Sequence, residues 1–184
     1  MDELAALPKF ASTLFEEAKR FVEKATEAKE SDAKLAYLHA GLLVGFAAFE
    51  AHVNAMCDDF LSREELSPHE RGMLAEHSVK LVDGAFEEQD NLQMQRLEDR
   101  ILFLCRRFSS KPIDRKASYW GDFKTATNLR NILTHPRNDA SEVTLDGAKR
   151  AISAIVELLN VMYTSVYGKK LPAYHRQLSS KLTF

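Results

Sequence analysis

The sequence predicts an all-α fold, a bundle of five or six helices. Glycine and proline are scarce, at 7 and 5 in 184 residues, which favours long helices over turn-rich sheets. Apolar residues recur at helical spacing along most of the chain, and no segment reads as alternating strand. The length suits one domain spanning 1–184, with a core over about 8–168 and a tail over 171–184. A 45% hydrophobic share is ample for its core.

Pro8 suits the first turn of an amphipathic helix in which Phe10, Leu14, Ala18, Phe21 and Ala25 share one face. Ser31 can cap a second, longer helix reaching roughly to Glu64. Its middle, Leu35 to Cys57, is apolar on nearly every face and reads as a helix buried on all sides. Gly41 and Gly45 lie one turn apart, so another helix can approach there, either within the fold or across a dimer. Ser67-Pro68-His69-Glu70 is a capping box with proline at the first helical position, opening a short third helix. Gly84 and the polar run Glu87 to Asn91 read as a loop. Leu97, Ile101, Leu104 and Phe108 mark a fourth helix, and Ser109 to Lys116 a basic connection. A fifth helix starts near Tyr119 and ends at His135, because the residue before Pro136 is driven out of helical geometry. Thr144 or Asp146 opens the last helix, whose stripe is Ile152, Ile155, Leu159, Met162 and Val166, with Gly168 as its C-cap.

Charge and cysteine content narrow the function classes. With 27 acidic and 25 basic side chains, net −2, bulk charge does not draw the chain onto nucleic acid, so any such contact is a local patch. Cys57 and Cys105 read as buried, reduced thiols, since neither a disulfide framework nor a zinc-ligand spacing is present. The start Met1-Asp2-Glu3-Leu4 lacks the pattern of a signal peptide, and the apolar run Ala40 to Phe49 is short for a membrane span. The expected location is the cytoplasm, away from the membrane.

Chemistry concentrates in Asn128-Leu129-Arg130-Asn131-Ile132-Leu133-Thr134-His135-Pro136-Arg137. Asn131 and His135 are four apart and stack on one side of the helix, and Thr127 extends that polar line by a turn. Arg130 sits about 100° around the helix and is stacked with Thr134, while Leu129 and Leu133 point to the core. RNA cleavage needs this set of groups. The 2′-OH loses a proton as it attacks the adjacent phosphate, and the leaving 5′-oxygen gains one. Histidine, with an unperturbed pKa of about 6.5, does either near neutrality. Arginine stays charged and its planar fork grips phosphate oxygens, while asparagine orients the imidazole or a phosphate oxygen. The nucleophile belongs to the substrate, so neither metal nor cofactor is expected.

The stretch resembles the Arg-x4–6-His motif of the HEPN superfamily, in which a polar residue, often asparagine, follows the arginine. Arg130-Asn131 and His135, with four residues between arginine and histidine, have that form. The long helix containing Phe46-Ala47-Ala48-Phe49-Glu50-Ala51-His52-Val53-Asn54 also looks like an upstream helix of such domains, and the resemblance covers roughly residues 31–167. It implies a helical bundle that dimerises, with a composite site made by two copies. It also implies a metal-independent endoribonuclease with Arg130, Asn131 and His135 catalytic, in a toxin–antitoxin or phage-defence setting. An antitoxin or a small nucleotidyltransferase is then an expected partner. The rival expectations are a HEPN-fold interaction or nucleotide-binding module without catalysis, and a plain helical scaffold.

The spacing alone is weakly specific. Arg63 to His69 and Arg71 to His77 also satisfy it, each with five residues between, but asparagine follows neither arginine. The bland reading of the motif is a helix end capped by His135, with Arg130 solvated or salt-bridged. Glu50 interrupts an apolar stretch and needs a partner: Arg130, His135, an interhelical cation or solvent. Thr127 and Thr134 are supporting candidates, and Arg137 is a candidate RNA contact. His39, His52 and His175 read as isolated structural histidines, Trp120 as a packing residue, and Arg106-Arg107, Lys111 and Arg115-Lys116 as local positive charge in mostly solvated segments.

Overall fold

Apolar side chains at almost every turn from Leu35 to Cys57 need partners in several directions, and the other helices supply them. The computed structural model describes residues 9–109, 111–135 and 143–171. The elements are α1 (Lys9–Glu27), α2 (Ser31–Leu61), α3 (Pro68–Ala75), β1 (His77–Val82), β2 (Ala85–Leu92), α4 (Leu97–Phe108), α5 (Ser118–Thr134) and α6 (Leu145–Tyr167). The fold is mostly helical, six helices with one small antiparallel hairpin.

Leu42, Phe46, Phe49, Val53 and Met56 of α2 are buried with Phe15 of α1, Ile101 and Leu104 of α4, Phe123 of α5 and Ile155, Leu158, Leu159 and Met162 of α6. Each such side chain contributes roughly 1.5–3 kcal/mol by leaving water. Gly41 and Gly45 are used within the fold. A Cβ on Gly41 would lie 3.1 Å from the Ala18 carbonyl oxygen and from Val22 Cγ2, and one on Gly45 would lie 3.4 Å from Ile152. At 31 residues α2 is also long and apolar enough to cross a membrane by those two measures, although its apolar run alone reads as too short. Its packing against α1 and α6 is that of a core helix.

Two expectations need correction. First, α2 is not buried on all sides. Ala36, Leu43, Ala47 and Asn54 are exposed along one stripe, Leu43 at 39%, because the bundle covers the other faces only. The helix also stops at Leu61 rather than Glu64. Second, the chain is not all-α, and Glu87 to Asn91 is not a loop. β1 and β2 pair in the register Val79↔Glu88, Leu81↔Phe86 and Val82↔Ala85. The turn between them is Asp83-Gly84, with φ of 49° and 88°. Two positive φ values in a two-residue turn match the twist of antiparallel strands, and Asp-Gly is the sequence that tolerates them. That signal was present; the acidic, weakly strand-forming run of β2 hid it.

Ser31 does not cap α2: it is the first helical residue, the N-cap is Glu30, and no side chain caps that end. The other caps follow the sequence. Ser67 and Glu70 bond reciprocally at the start of α3, Thr144 accepts from the Gly147 amide at the start of α6, and Gly168 ends α6 at φ 67°. Cys57 and Cys105 are free and buried. Trp120 is buried and leans on Phe123 at 5.5 Å. His52 is buried too, with Nδ1 3.1 Å from the Tyr163 hydroxyl and its ring stacked on Phe15. His175 lies outside the described residues.

Two outcomes follow from these contacts. Gly72 of α3 is where the hairpin comes closest: a Cβ there would stand 2.7 Å from the His77 carbonyl oxygen and 2.8 Å from Val79 Cγ2. Gly72→Ala should therefore destabilise the protein by roughly 1–3 kcal/mol in urea unfolding, since backbone must move. An unchanged midpoint would mean that the hairpin is not seated on α3. Burial pushes His52 down to about 4 from the usual 6.5. Between those two values the unfolded chain binds the proton and the folded chain does not, so stability falls as pH drops from 6.5 towards about 4. The full loss is on the order of 3 kcal/mol. His52→Phe should flatten the stability profile over that window; wild-type and variant curves that run parallel would refute the assignment.

Candidate active site at the end of α5

Phe123 and Ala126 bury one side of α5, which fixes where its remaining side chains point. Leu129 and Leu133 pack against both the main core and a smaller cluster around Val143 and Ala148. Arg130 turns towards α2. Its Nη2 lies 3.2 Å from Glu50 Oε1, and its guanidinium carbon sits 5.2 Å from the centre of the Phe46 ring. Glu50 interrupts the apolar helix so as to meet this arginine. The aromatic face and the carboxylate together hold the guanidinium at one end of the α2–α5 contact. Arg130 Nε is buried without a hydrogen-bond partner among the described residues, so the fork is not saturated.

Asn131 and His135 are exposed on the side of α5 away from the core, and neither side chain bonds a described residue. His135 closes the helix: its amide donates to the Asn131 carbonyl, and its φ of −132° and ψ of 64° leave helical geometry. Thr127 and Thr134 are turned inward on the helix itself. The Thr127 hydroxyl donates to the Phe123 carbonyl at 2.9 Å, and the Thr134 hydroxyl reaches the Arg130 and Asn131 carbonyls at 3.3 and 3.4 Å. Such back-bonding satisfies the hydroxyl locally. Arg137 lies outside the described residues.

The arrangement thus joins Arg130 with Glu50 and Phe46, and sets Asn131 and His135 further round the same helix end. Sequence reasoning missed Phe46 as the floor beneath Arg130. The signal was its place one turn before Glu50, the pairing expected for one helix face. It also missed Arg100, which is buried at 6% exposure and serves the fold. The basic positions on α4 are partly engaged, Arg107 donating to Glu70 at 2.7 Å. Among the described residues, no three His, Cys, Asp or Glu side chains converge as a metal site would require. A groove of about 740 Å³ between α5 and α6 is lined by Asn128, Leu129 and Ile132 of α5 but by none of Arg130, Asn131 or His135.

Comparison with protein-family models, with curated proteins and with solved structures finds no match.

Glu50 is 44% exposed and Arg130 22%, so their attraction is screened by water. A double-mutant cycle with Glu50→Gln and Arg130→Met should give a coupling of about 0.2–1 kcal/mol. A coupling well above about 2 kcal/mol would place the pair in a drier setting than its exposure indicates.

Proposed function

We propose that this protein is a HEPN-like endoribonuclease that cleaves RNA by attack of the 2′-OH on the adjacent phosphate. The observation that carries the reading is the end of α5. Arg130 is held over Phe46 by Glu50, while Asn131 and His135, one helical turn apart, are exposed and bonded to no described side chain. In this reading His135 moves the proton, Arg130 stabilises charge on the phosphate oxygens, and Asn131 orients one or the other. The local charge is small, which suits a chain of net −2 that engages RNA at one place.

A homodimer completes the proposed site. The exposed stripe of α2 bears Ala36, Leu43 and Ala47, small or apolar residues, and Glu50 borders it. A two-fold axis beside that stripe brings two Arg130–His135 segments to one groove. Toxin or phage-defence action, with an antitoxin or a small nucleotidyltransferase as partner, follows from the resemblance alone. One observation favours the rival, a non-catalytic interaction or nucleotide-binding module: Arg130 already has an ionic partner in Glu50.

The experiment is incubation with mixed cellular RNA in EDTA. Wild-type protein should leave 2′,3′-cyclic phosphate or 3′-phosphate ends. His135→Ala and Arg130→Ala should each lower cleavage about 100-fold or more, on the order of 2.7 kcal/mol of transition-state stabilisation, without loss of fold. Cleavage that vanishes with chelator and returns with magnesium refutes the mechanism. Intact RNA throughout, from folded protein, favours the non-catalytic module.

A further inference from the structure

Four of the five large hydrophobic side chains exposed among the described residues lie in the hairpin and its exit: Leu81, Phe86, Leu92 and Met94, each more than half exposed. Leu81 stands opposite Phe86 and Val79 opposite Glu88, so these four side chains share one face. The helix α3 covers only the middle of that face. Val79 packs on Gly72, and the Phe86 and His69 rings meet edge to face at 4.6 Å, leaving Leu81 and much of the Phe86 ring in water. The sheet has two strands only, and the outer edge of β2 bonds no other described backbone.

Charge separates this arm from the rest of the chain. Between His77 and Met94 the only cation is Lys80, against Asp83, Glu87, Glu88 and Asp90; with histidine neutral the arm is net −3 in a chain of net −2. Glu88 is taken by His77 Nδ1 at 2.7 Å. The carboxylates of Glu87 and Asp90 are exposed and bond no described residue. Acidic side chains by themselves are ordinary protection of a strand edge. Open leucine, phenylalanine and methionine on the same arm are the reverse, since they raise the gain from covering it. Phe86 and Glu87 are neighbours in an extended strand and so point to opposite faces. A strand laid beside β2 therefore meets apolar surface on one face and carboxylate on the other.

We propose that the outer edge of β2 takes a third strand from another protein, an extended segment in which apolar side chains alternate with lysine or arginine. The backbone of that segment bonds the open edge, its apolar side chains cover Phe86, and its cations meet Glu87 and Asp90. The charge of the arm turns away nucleic acid and anionic membrane. A second copy of this chain fits poorly for other reasons. Two β2 edges side by side bring Glu87, Glu88 and Asp90 of both chains together, and like charges across strands repel. A β2 edge against the β1 edge of a copy is a head-to-tail contact that leaves an open edge at each end. The inference is independent of the chemistry proposed at Arg130.

The test uses the full chain and two synthetic peptides of about eight residues, the length of β2. One alternates lysine with valine, the other glutamate with valine. The lysine–valine peptide should bind at least about 10-fold more tightly, and more so at low salt. It should slow amide exchange in Ala85–Leu92 and not at the end of α5. Glu87→Lys with Asp90→Lys changes exposed, unpaired side chains, so the fold is kept, and the preference between the two peptides should reverse. Phe86→Ser with Leu92→Ser should weaken binding of the lysine–valine peptide at least about 10-fold. Equal affinity for the two peptides, binding of neither, or slowed exchange elsewhere than β2 overturns the proposal. So does a concentration-dependent dimer that the serine variant abolishes while neither peptide binds, which assigns the arm to a second copy.

Discussion

Everything else in the bundle is arranged around the approach of α1 and α6 to α2 at Gly41 and Gly45. With a Cβ at Gly41 only 3.1 Å from the Ala18 carbonyl oxygen, α1 sits closer than a side chain there would readily allow. Gly45 gives the same latitude to Ile152 and Ile155 of α6. The stripe is short, and the helix is forced to use its remaining faces for something else. Five residues beyond Gly45, Glu50 lies about 140° further round α2. It is thereby carried away from α1 and α6 towards α5, where Arg130 meets it at 3.2 Å. The position of the candidate site is a consequence of the packing on the opposite side of the same helix.

A second constraint holds the far end of α2. Arg100 of α4 is 6% exposed, a burial that is costly for an unpaired cation. Its Nη1 donates to Asn54 Oδ1 at 2.7 Å and to Glu76 Oε2 at 3.1 Å, and its Nη2 to the Leu74 carbonyl at 2.9 Å. One guanidinium therefore ties α2, the end of α3 and α4 together. Glu76 also adopts φ 57°, unfavourable for a residue with a Cβ. Its backbone and side chain hold it there: its carbonyl accepts from the Gln93 amide and its Oε1 from the Gln95 amide. The left-handed turn is what directs the chain from α3 into the hairpin, and the arginine is what keeps it so. Removing either partner would leave the other charge buried, which costs more than the pair itself contributes.

How much of this was legible depended on whether a feature was local. The capping box at Ser67, the Thr144 cap, the glycine end at Gly168 and the break of α5 at His135 are each decided by a few neighbouring residues, and each is where its residues place it. The interruption of α2 by Glu50 announced the need for a partner and included Arg130 among the candidates. The hairpin was obscured because its strands are stabilised less by their own propensity than by lying over Gly72. The exposed stripe of α2 was illegible for a different reason. Apolarity on all faces looks the same whether the last face meets another part of the chain or not. Arg100 was likewise lost among the charges of α4, since only tertiary contact distinguishes a buried arginine from a solvated one.

The Arg130–Glu50 pair bears on the proposed chemistry through its modest strength. A half-exposed ion pair contributes about 1 kcal/mol or less. Yet it confines a long side chain that otherwise samples many rotamers, and the Phe46 ring beneath it restricts the guanidinium plane as well. In the proposed reaction such an arginine arrives oriented, so less rotamer entropy is lost when phosphate binds. A phosphate that offers two oxygens competes well with one carboxylate contact at 3.2 Å, whereas a mere approach of charge does not. Glu50 then acts against indiscriminate binding of anions, because any ligand must outbid a carboxylate that is already in place. Histidine has the opposite problem. The helix end sets the His135 backbone, and among the described residues no side chain fixes its imidazole. On the proposed reading the missing constraint has to come from the substrate or from a second copy. One imidazole also cannot both accept the 2′-OH proton and supply the 5′-oxygen on the far side of the phosphate in a single concerted passage. On that reading, an arginine organised by α2 beside a histidine that no described side chain organises is the asymmetry of a site completed by the substrate or a second copy.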